Sequence, residues 1–142
     1  MNHDSYRDDY LRAVLTQVPV IALVGASPDS SRPSFHVMRY LQTKGYRIIP
    51  VNPAAAGQEI LGETVYPDLA SIPEKVTMVD IFRNSEAAGL ITDEAIRVGA
   101  RVVWMQLEVR NDAAAARAEA AGLEVVMNRC PKIEFARLFG EV

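Results

Sequence analysis

The sequence predicts a single α/β domain spanning residues 1–142, with a doubly wound parallel sheet of about five strands and helices on both faces. Two observations lead to this fold. Five short apolar runs are continuous rather than alternating, which is typical of strands buried on both faces of a sheet. Helical patterns separate these runs, and glycines or prolines stand near their ends. With 142 residues, of which 49% are hydrophobic, the chain can bury one core of ordinary size.

The five apolar runs are the predicted strands, and they cover residues 20–24, 46–51, 77–82, 101–105 and 123–127. Right-handed crossover connections favour the strand order 3-2-1-4-5, numbered by run. In such a sheet, ligands bind beyond the carboxyl ends of the strands at the point where the winding direction reverses. We therefore expect a binding site in the loops around the ends of runs 1 and 4.

The predicted helices cover roughly residues 5–17, 33–45, 84–99, 111–122 and 131–139. Pro33 suits the first turn of its helix, because its missing N–H would have no partner there. Asn84 or Ser85 can cap the third helix, and Asn111 or Asp112 can cap the fourth. These ends place a helix of several turns on each connection except the one between runs 2 and 3.

That connection is the least regular part of the chain. Residues 54–57 read as a loop, and residues 68–72 are expected to form one short helix. No internal repeat or low-complexity tract interrupts the sequence, so nothing divides it into further domains.

Composition excludes several classes of function. Fifteen Lys and Arg against eighteen Asp and Glu give a net charge of −3, without the basic excess of a nucleic-acid binder. No apolar run approaches the roughly 20 residues of a membrane helix, and the polar first ten residues do not resemble a signal peptide. One cysteine and two histidines allow neither an internal disulfide nor a zinc site. We expect a cytoplasmic protein without a metal.

The loop after the first run, residues 25–34, is the main candidate binding element. Gly25 lets the backbone turn and approach a ligand closely. Hydroxyls at Ser27 and Ser34, the N–H groups of the next helix and the cation of Arg32 suit a phosphate or pyrophosphate. The alternative interpretation is that the glycine only makes a turn and the serines only cap the helix. Position in the sequence does not decide between the two.

The loops do not carry the motifs of the common nucleotide-binding sites. The dinucleotide fingerprint G-x-G-x-x-G is absent after the first run, as is a Walker A loop. The second run ends at Asn52, where a site for NAD normally has an acidic residue that binds the ribose hydroxyls. Ordinary NAD chemistry and P-loop hydrolysis are therefore disfavoured.

No nucleophile with its base is visible, so we predict no catalytic residue. His36 reads as a surface residue of the second helix, and His3 lies in an end expected to be mobile. Asp80 lies inside the third run, where a carboxylate must be hydrogen-bonded, and loop backbone near the site is the expected partner. Cys130 has basic neighbours and reads either as a reactive thiol or as a packing residue.

Six segments of the chain, taken in order, resemble the small stand-alone CoA-binding proteins related to the CoA-binding domain of the succinyl-CoA synthetase alpha subunit. The segments cover residues 24–27, 31–34, 45–53, 79–83, 99–106 and 127–134. The resemblance extends from about residue 10 to residue 139. It implies a Rossmann-like domain that holds coenzyme A, or an acyl-CoA, across the carboxyl ends of the strands.

The resemblance also implies a role for each site residue. Carried over by position, the cofactor-binding residues are Gly25, Ala26 and Ser27 at the pyrophosphate, Arg32, Pro33 and Ser34 at the helix entrance, Asn52 and Pro53 at the ribose, Phe82 and Arg83 at the adenine, and Gln106 along the pantetheine arm. The synthetase domain has a cation in the loop after its second strand, whereas residues 54–58 here have none. We expect Arg83 to take its place at the 3′-phosphate. The synthetase's phosphorylated histidine lies in a domain absent here, so ligase activity does not follow.

Three functions remain open on the sequence. The first is a CoA or acyl-CoA binding protein without catalytic machinery. The second is a degenerate NAD(P)-type oxidoreductase, against which the missing glycine and the missing acid argue. The third is a CoA-responsive regulatory or interaction module for an acyl-CoA enzyme. The apolar stripe of Phe135, Leu138 and Phe139 fits the third function, but it fits packing on the chain's own sheet as well.

Overall fold

The computed structural model describes residues 1–140 and confirms the α/β architecture with helices on both faces of a five-stranded parallel sheet. The strands are β1 (Val20–Val24), β2 (Arg47–Val51), β3 (Glu59–Ile60), β4 (Glu63–Thr64), β5 (Met78–Ile81), β6 (Val102–Met105) and β7 (Glu124–Val126). The helices are α1 (Asp8–Thr16), α2 (Pro33–Thr43), α3 (Ser85–Arg97), α4 (Asp112–Ala120) and α5 (Pro131–Phe139). Strands β3 and β4 form a separate antiparallel hairpin. None of the helices in residues 1–140 is long and apolar enough to cross a membrane.

The order of the main sheet is β2-β1-β5-β6-β7, which corresponds to 2-1-3-4-5 in the numbering by run. The predicted order 3-2-1-4-5 is therefore wrong, because the third run pairs with β1 and not with β2. Pro50 lacks an N–H and suits β2 to the edge of the sheet. Tyr66 occupies the outer side of this strand: its N–H donates to Pro50 O at 3.0 Å, and its carbonyl accepts from Asn52 N at 2.9 Å. The winding direction thus reverses between β1 and β5, not between runs 1 and 4.

Side chains alternate along each strand and build two different cores. We call the side of the sheet covered by α3 and α4 the alanine face, because these helices bury mainly alanines there: Ala88, Ala95, Ala114, Ala115 and Ala118. The side covered by α1, α2 and α5 is the bulky face, and its helices bury larger residues: Leu11, Val14, Leu15, Val37, Met38, Leu41 and Leu138. Trp104 of β6 is fully buried on the bulky face.

Helix ends follow the sequence closely. Asn84 and Asn111 are the caps of α3 and α4, with side-chain oxygens that accept from Ala87 N at 2.8 Å and from Ala114 N at 2.9 Å. Helix α2 begins at Pro33, and α5 has the predicted bounds.

The connection between β2 and β5 differs from the prediction. Residues 68–72 form turns rather than a helix, and the short helix actually present is a 3₁₀ turn over Pro53–Ala55. The side chain of Asp68 accepts from the N–H of Ser71 at 2.8 Å and from its hydroxyl, so it satisfies the backbone locally without a helix. Pro67 and Pro73 flank this turn and leave too little room for a stable helix.

Candidate functional site

The loops after β1, β2 and β5 meet at the carboxyl edge of the sheet. The N–H groups of Gly25 and Ala26 both donate to Val51 O, at 2.9 and 3.3 Å, which fastens the first loop to the end of β2. Gly25 has φ +95°, and a Cβ there would lie 2.3 Å from the carbonyl oxygen of Phe82. Only glycine therefore fits this turn, which follows β1 in the chain and lies against Phe82 at the end of β5.

Two adjoining cavities open above this turn. The first, of about 310 Å³, is lined by Gly25, Ala26, Ser27, Arg32, Pro33, Ser34, Asn52 and Phe82. The second, of about 380 Å³, is lined by Gly25, Asn52, Pro53, Ala54, Phe82 and Arg83. Ten of the eleven residues expected to bind the cofactor thus surround the two cavities, and Gln106 is the exception. Their contact with a ligand stays a prediction.

Asn52 holds two of the loops together. Its amide nitrogen donates to Ala26 O at 2.8 Å, and its amide oxygen accepts from Ala54 N at 2.9 Å. An aspartate here would have no N–H to offer Ala26 O and would place a negative charge against that carbonyl. Asn52, at the position where an NAD site has its acidic residue, therefore uses its side chain to hold together the loops that line the cavities.

The loop over residues 27–31 leads into the uncapped start of α2. Ser27 Oγ accepts from Asp29 N at 3.1 Å, and Asp29 accepts from the N–H of Ser31 at 2.9 Å and from its hydroxyl at 2.7 Å. These bonds hold the pKa of the Asp29 carboxyl below its usual range, and Arg32 lies 3.8 Å from the same carboxylate. No side chain caps the first turn of α2. Pro33 has no N–H and the N–H of Phe35 donates to Arg32 O at 3.1 Å, so the N–H without a partner among residues 1–140 is that of Ser34, a residue that lines the first cavity.

Arg83 supplies the cation of the second cavity. Its side chain is exposed and has no ion pair or hydrogen bond with any residue in 1–140. The lining of the same cavity includes Ala54, at the start of the loop that lacks a basic residue. A ligand phosphate would therefore find Arg83 free to receive it.

Gln106 and Asp80 are buried polar residues that line neither of the two cavities. Gln106 directly follows β6, and 6% of its surface is exposed. Asp80 is fully buried in β5, and neither of its carboxyl oxygens has a hydrogen-bond partner among residues 1–140. The expectation that loop backbone satisfies Asp80 is therefore wrong, because the strand holds its side chain among apolar neighbours and away from the loops. Burial raises the pKa of the Asp80 carboxyl well above its ordinary value.

The remaining titratable candidates lie outside the cavities. His3 is not in a loose end: it is buried, with Nδ1 2.7 Å from Tyr6 Oη and Nε2 3.0 Å from Glu119. His36 lies 3.2 Å from an Arg39 nitrogen on the surface of α2. Cys130 is the residue before α5 and is 5% exposed. In the part of the chain that the structure describes, no group of three or more His, Cys, Asp or Glu could hold a metal.

Comparison with known proteins shows the family to which the chain belongs. A family model described as the CoA binding domain matches residues 19–136. The chain belongs to the CoA binding domain family. Family membership supports the binding of CoA in general, and it covers every loop that forms the two cavities.

Relatives of the chain include other small proteins of similar length. The uncharacterised protein YneT of Bacillus subtilis (strain 168) is 32% identical over 126 residues, which cover 89% of this chain and 92% of YneT. The structure of a hypothetical protein from Pyrococcus horikoshii OT3 is 41% identical with a TM-score of 0.91, covering 99% of this chain and 97% of that one.

A larger enzyme contains a domain of the same fold. The dinucleotide-forming acetyl-coenzyme A synthetase 1 of Ca. Korarchaeum cryptofilum is 24% identical with a TM-score of 0.64, over 75% of this chain and 25% of the synthetase. At this identity the likeness concerns the fold alone.

Proposed function

We propose that the protein binds coenzyme A across the carboxyl ends of β1, β2 and β5, within the two adjoining cavities. The observation that carries the proposal is that the Gly25 turn, the uncapped start of α2 and the free cation of Arg83 lie along one continuous surface. Membership of the CoA binding domain family supports the choice of ligand.

The first cavity has the features of a pyrophosphate site. The N-terminus of α2 carries partial positive charge, and the unpaired N–H of Ser34 can donate to a phosphate oxygen. Gly25 lets the backbone come close to the ligand, and Arg32 adds a cation that also balances the carboxylate of Asp29. The pyrophosphate of CoA would lie against this turn and this helix.

The second cavity suits the adenosine end of CoA. Phe82 and Pro53 offer apolar surface for the adenine and the ribose, and Arg83 can donate two hydrogen bonds to a phosphate. CoA carries a 3′-phosphate on its ribose, whereas dephospho-CoA and NAD do not. Arg83 would therefore be the residue that selects the phosphorylated ribose.

The proposal includes no reaction. None of the residues that line the two cavities is a His, Cys, Asp or Glu, so no side chain there can act as a nucleophile with a base beside it. We infer a binding protein that accepts CoA or an acyl-CoA, with the acyl group beyond the lined surface.

Isothermal titration calorimetry with CoA, acetyl-CoA, NAD and NADP tests the proposal. We expect saturable binding of CoA and acetyl-CoA at least tenfold tighter than that of either nicotinamide dinucleotide, since Asn52 offers no acid to the ribose of NAD. Equal or tighter binding of NAD would contradict the proposal.

The role of Arg83 has its own test. Replacing it by alanine should weaken CoA about tenfold or more and dephospho-CoA much less, because a hydrogen bond to a charged group contributes about 1.5–3 kcal/mol. Arg101→Ala removes an exposed arginine beside the amino end of β6 and serves as the matched control. Equal losses for both ligands would show that Arg83 does not contact the 3′-phosphate.

A further inference from the structure

Asp80 is buried in a way that requires an explanation. It lies near the middle of the sheet, in register with Leu23 of β1 and Trp104 of β6, and no part of its side chain reaches solvent. Neither carboxyl oxygen has a partner within the described residues. Ionisation in such a place is so unfavourable that a carboxyl group keeps its proton instead. Asp80 is then an O–H donor without an acceptor.

Gln106 has the opposite need, a buried hydrogen-bond acceptor without a donor. Its amide oxygen is buried without a hydrogen-bond partner in residues 1–140. Its amide nitrogen also has no partner there, but it is not enclosed, so it reaches the accessible surface at the carboxyl edge of the sheet. The side chain therefore directs its acceptor inward and its donors outward.

The register brings the two residues to the same face of adjacent strands. Asp80 pairs with Trp104, and Gln106 stands two residues further along, so both side chains point to the bulky face. Strand spacing and rise put their Cα atoms about 8 Å apart, which the longer glutamine side chain can bridge. The backbone N–H of Gln106 donates to Ile81 O at 3.2 Å, so the pairing of the two strands continues to this point.

We propose that Asp80, as a neutral carboxylic acid, donates a hydrogen bond to the amide oxygen of Gln106 and so directs the Gln106 amide nitrogen toward a carbonyl oxygen of the bound ligand. Asp80 is a positioning residue, because it acts only through Gln106. A neutral acid can supply the missing donor, whereas a carboxylate opposite an amide oxygen would leave two acceptors facing each other.

The ligand carbonyl follows from the proposed function, on which this inference rests. CoA bound with its adenosine near Arg83 and its pyrophosphate near Gly25 carries its pantetheine arm beyond the pyrophosphate. That arm contains amide carbonyls, and an acyl-CoA adds a thioester carbonyl. Strand β6 lies beside β5 in the sheet. Gln106 directly follows β6, just as Phe82 directly follows β5, so Gln106 is the next buried polar side chain along this edge of the sheet. Its N–H groups would fix the arm by one of these carbonyls.

Four variants and three ligands test this arrangement by calorimetry. The variants are Gln106→Met, Asp80→Asn, Asp80→Leu and the double variant Asp80→Leu with Gln106→Met. The ligands are CoA, acetyl-CoA and adenosine 3′,5′-bisphosphate, which lacks the pantetheine arm. Asp80→Asn keeps a neutral hydrogen-bond donor of the same shape, and Asp80→Leu removes it.

We expect Gln106→Met and Asp80→Leu each to weaken acetyl-CoA about five- to tenfold, with the bisphosphate changed less than about twofold. Asp80→Asn should bind CoA like the parent, and the double variant should be no weaker than Gln106→Met alone, because both changes remove one interaction. A loss confined to acetyl-CoA would identify the thioester carbonyl, and equal losses for CoA and acetyl-CoA an amide carbonyl. Folded Asp80→Leu with parental affinity for both CoA and acetyl-CoA, or equal losses for the bisphosphate, would overturn the proposal.

Infrared difference spectroscopy tests the same pair without a ligand. The parent at pH 7 should show the carbonyl stretch of a protonated carboxylic acid, absent in Asp80→Asn and shifted in Gln106→Met. The absence of this band in the parent would overturn the inference about Asp80. A parent that shows the band but binds neither CoA nor the bisphosphate would instead refute the proposed function.

Discussion

The two faces of the sheet end differently at its carboxyl edge. On the alanine face, α3 and α4 both begin with an asparagine cap, and Asn111 also donates from its amide nitrogen to Ser85 O at 2.9 Å. On the bulky face, α1, α2 and α5 all begin without a side-chain cap. Ser34 at the start of α2 lines the first cavity, so its unpaired N–H lies where the molecule has room for a ligand.

Residue size explains part of this difference. Small side chains let α3 and α4 approach closely, and a Cβ added to Gly89 of α3 would lie 3.2 Å from the Asn111 amide nitrogen. Larger residues such as Met38 and Leu41 are buried between α2 and the sheet, and the start of α2 borders the first cavity. The alanine face is therefore closed by its own hydrogen bonds, whereas the bulky face leaves donors for another molecule.

Among the substitutions that test this difference between the two faces, one at Gly25 should have the largest effect on stability. We expect Gly25→Ala to lower the free energy of unfolding by about 2–5 kcal/mol, because positive φ costs about 1–2 kcal/mol and overpacking about 1–3 kcal/mol. The added Cβ would meet the Phe82 carbonyl oxygen at 2.3 Å. Urea denaturation measures the change.

Gly45→Ala is the matched control for Gly25→Ala. Gly45 has nearly the same φ, +94° against +95°, but a Cβ there would have no atom within 4 Å. The free energy of unfolding lost in Gly45→Ala should reflect backbone strain alone, about 1–2 kcal/mol. Equal losses at both positions would show that the approach of Gly25 to Phe82 does not constrain the fold.

A pH series on Asp80→Asn should give the next largest effect. Burial raises the folded-state pKa of Asp80 above its unfolded value of about 3.9, so the folded state holds the proton more tightly. Its contribution to stability is complete below that value and is lost as the pH rises toward the folded pKa, by up to about 1.4 kcal/mol per pH unit. Over that range the parent should therefore lose stability relative to Asp80→Asn.

Asp9→Asn provides a control of opposite sign. A side-chain hydrogen bond from Arg7 lowers the pKa of the exposed Asp9, so its contribution is present at neutral pH and lost as the pH falls through the folded pKa. Thermal denaturation between pH 2 and 8 measures both variants. A parent and an Asp80→Asn variant with parallel pH profiles would contradict a protonated Asp80.

Removing the asparagine caps should give the smallest effect and separate the two faces. Asn84→Ala is expected to lower the free energy of unfolding by about 1 kcal/mol through the lost bond to Ala87 N. Asn111→Ala should cost somewhat more, because its amide nitrogen also bonds Ser85 O. CoA affinity should stay within twofold of the parent in both. A large loss of affinity with a small loss of stability would mean that the alanine face takes part in binding.

The amino-acid sequence by itself determined the local features. Continuous apolar runs predicted the five main strands, since strands covered on both faces have no solvent side to keep polar. Pro33, Asn84 and Asn111 predicted where helices begin, because these residue types satisfy or remove N–H groups within a few residues of themselves. The loops that line the cavities were predicted for the same reason, as each directly follows a strand.

Only the tertiary structure decided how these pieces meet. The strand order depends on Tyr66 occupying the outer side of β2, a contact between residues distant in the chain. The closeness of Gly25 to Phe82, the burial of His3 against Glu119 and the unpaired oxygens of Asp80 likewise depend on neighbours brought together by folding. Periodicity and capping act over a few residues, whereas strand order, cavity shape and burial are set by packing between segments, which no local pattern records.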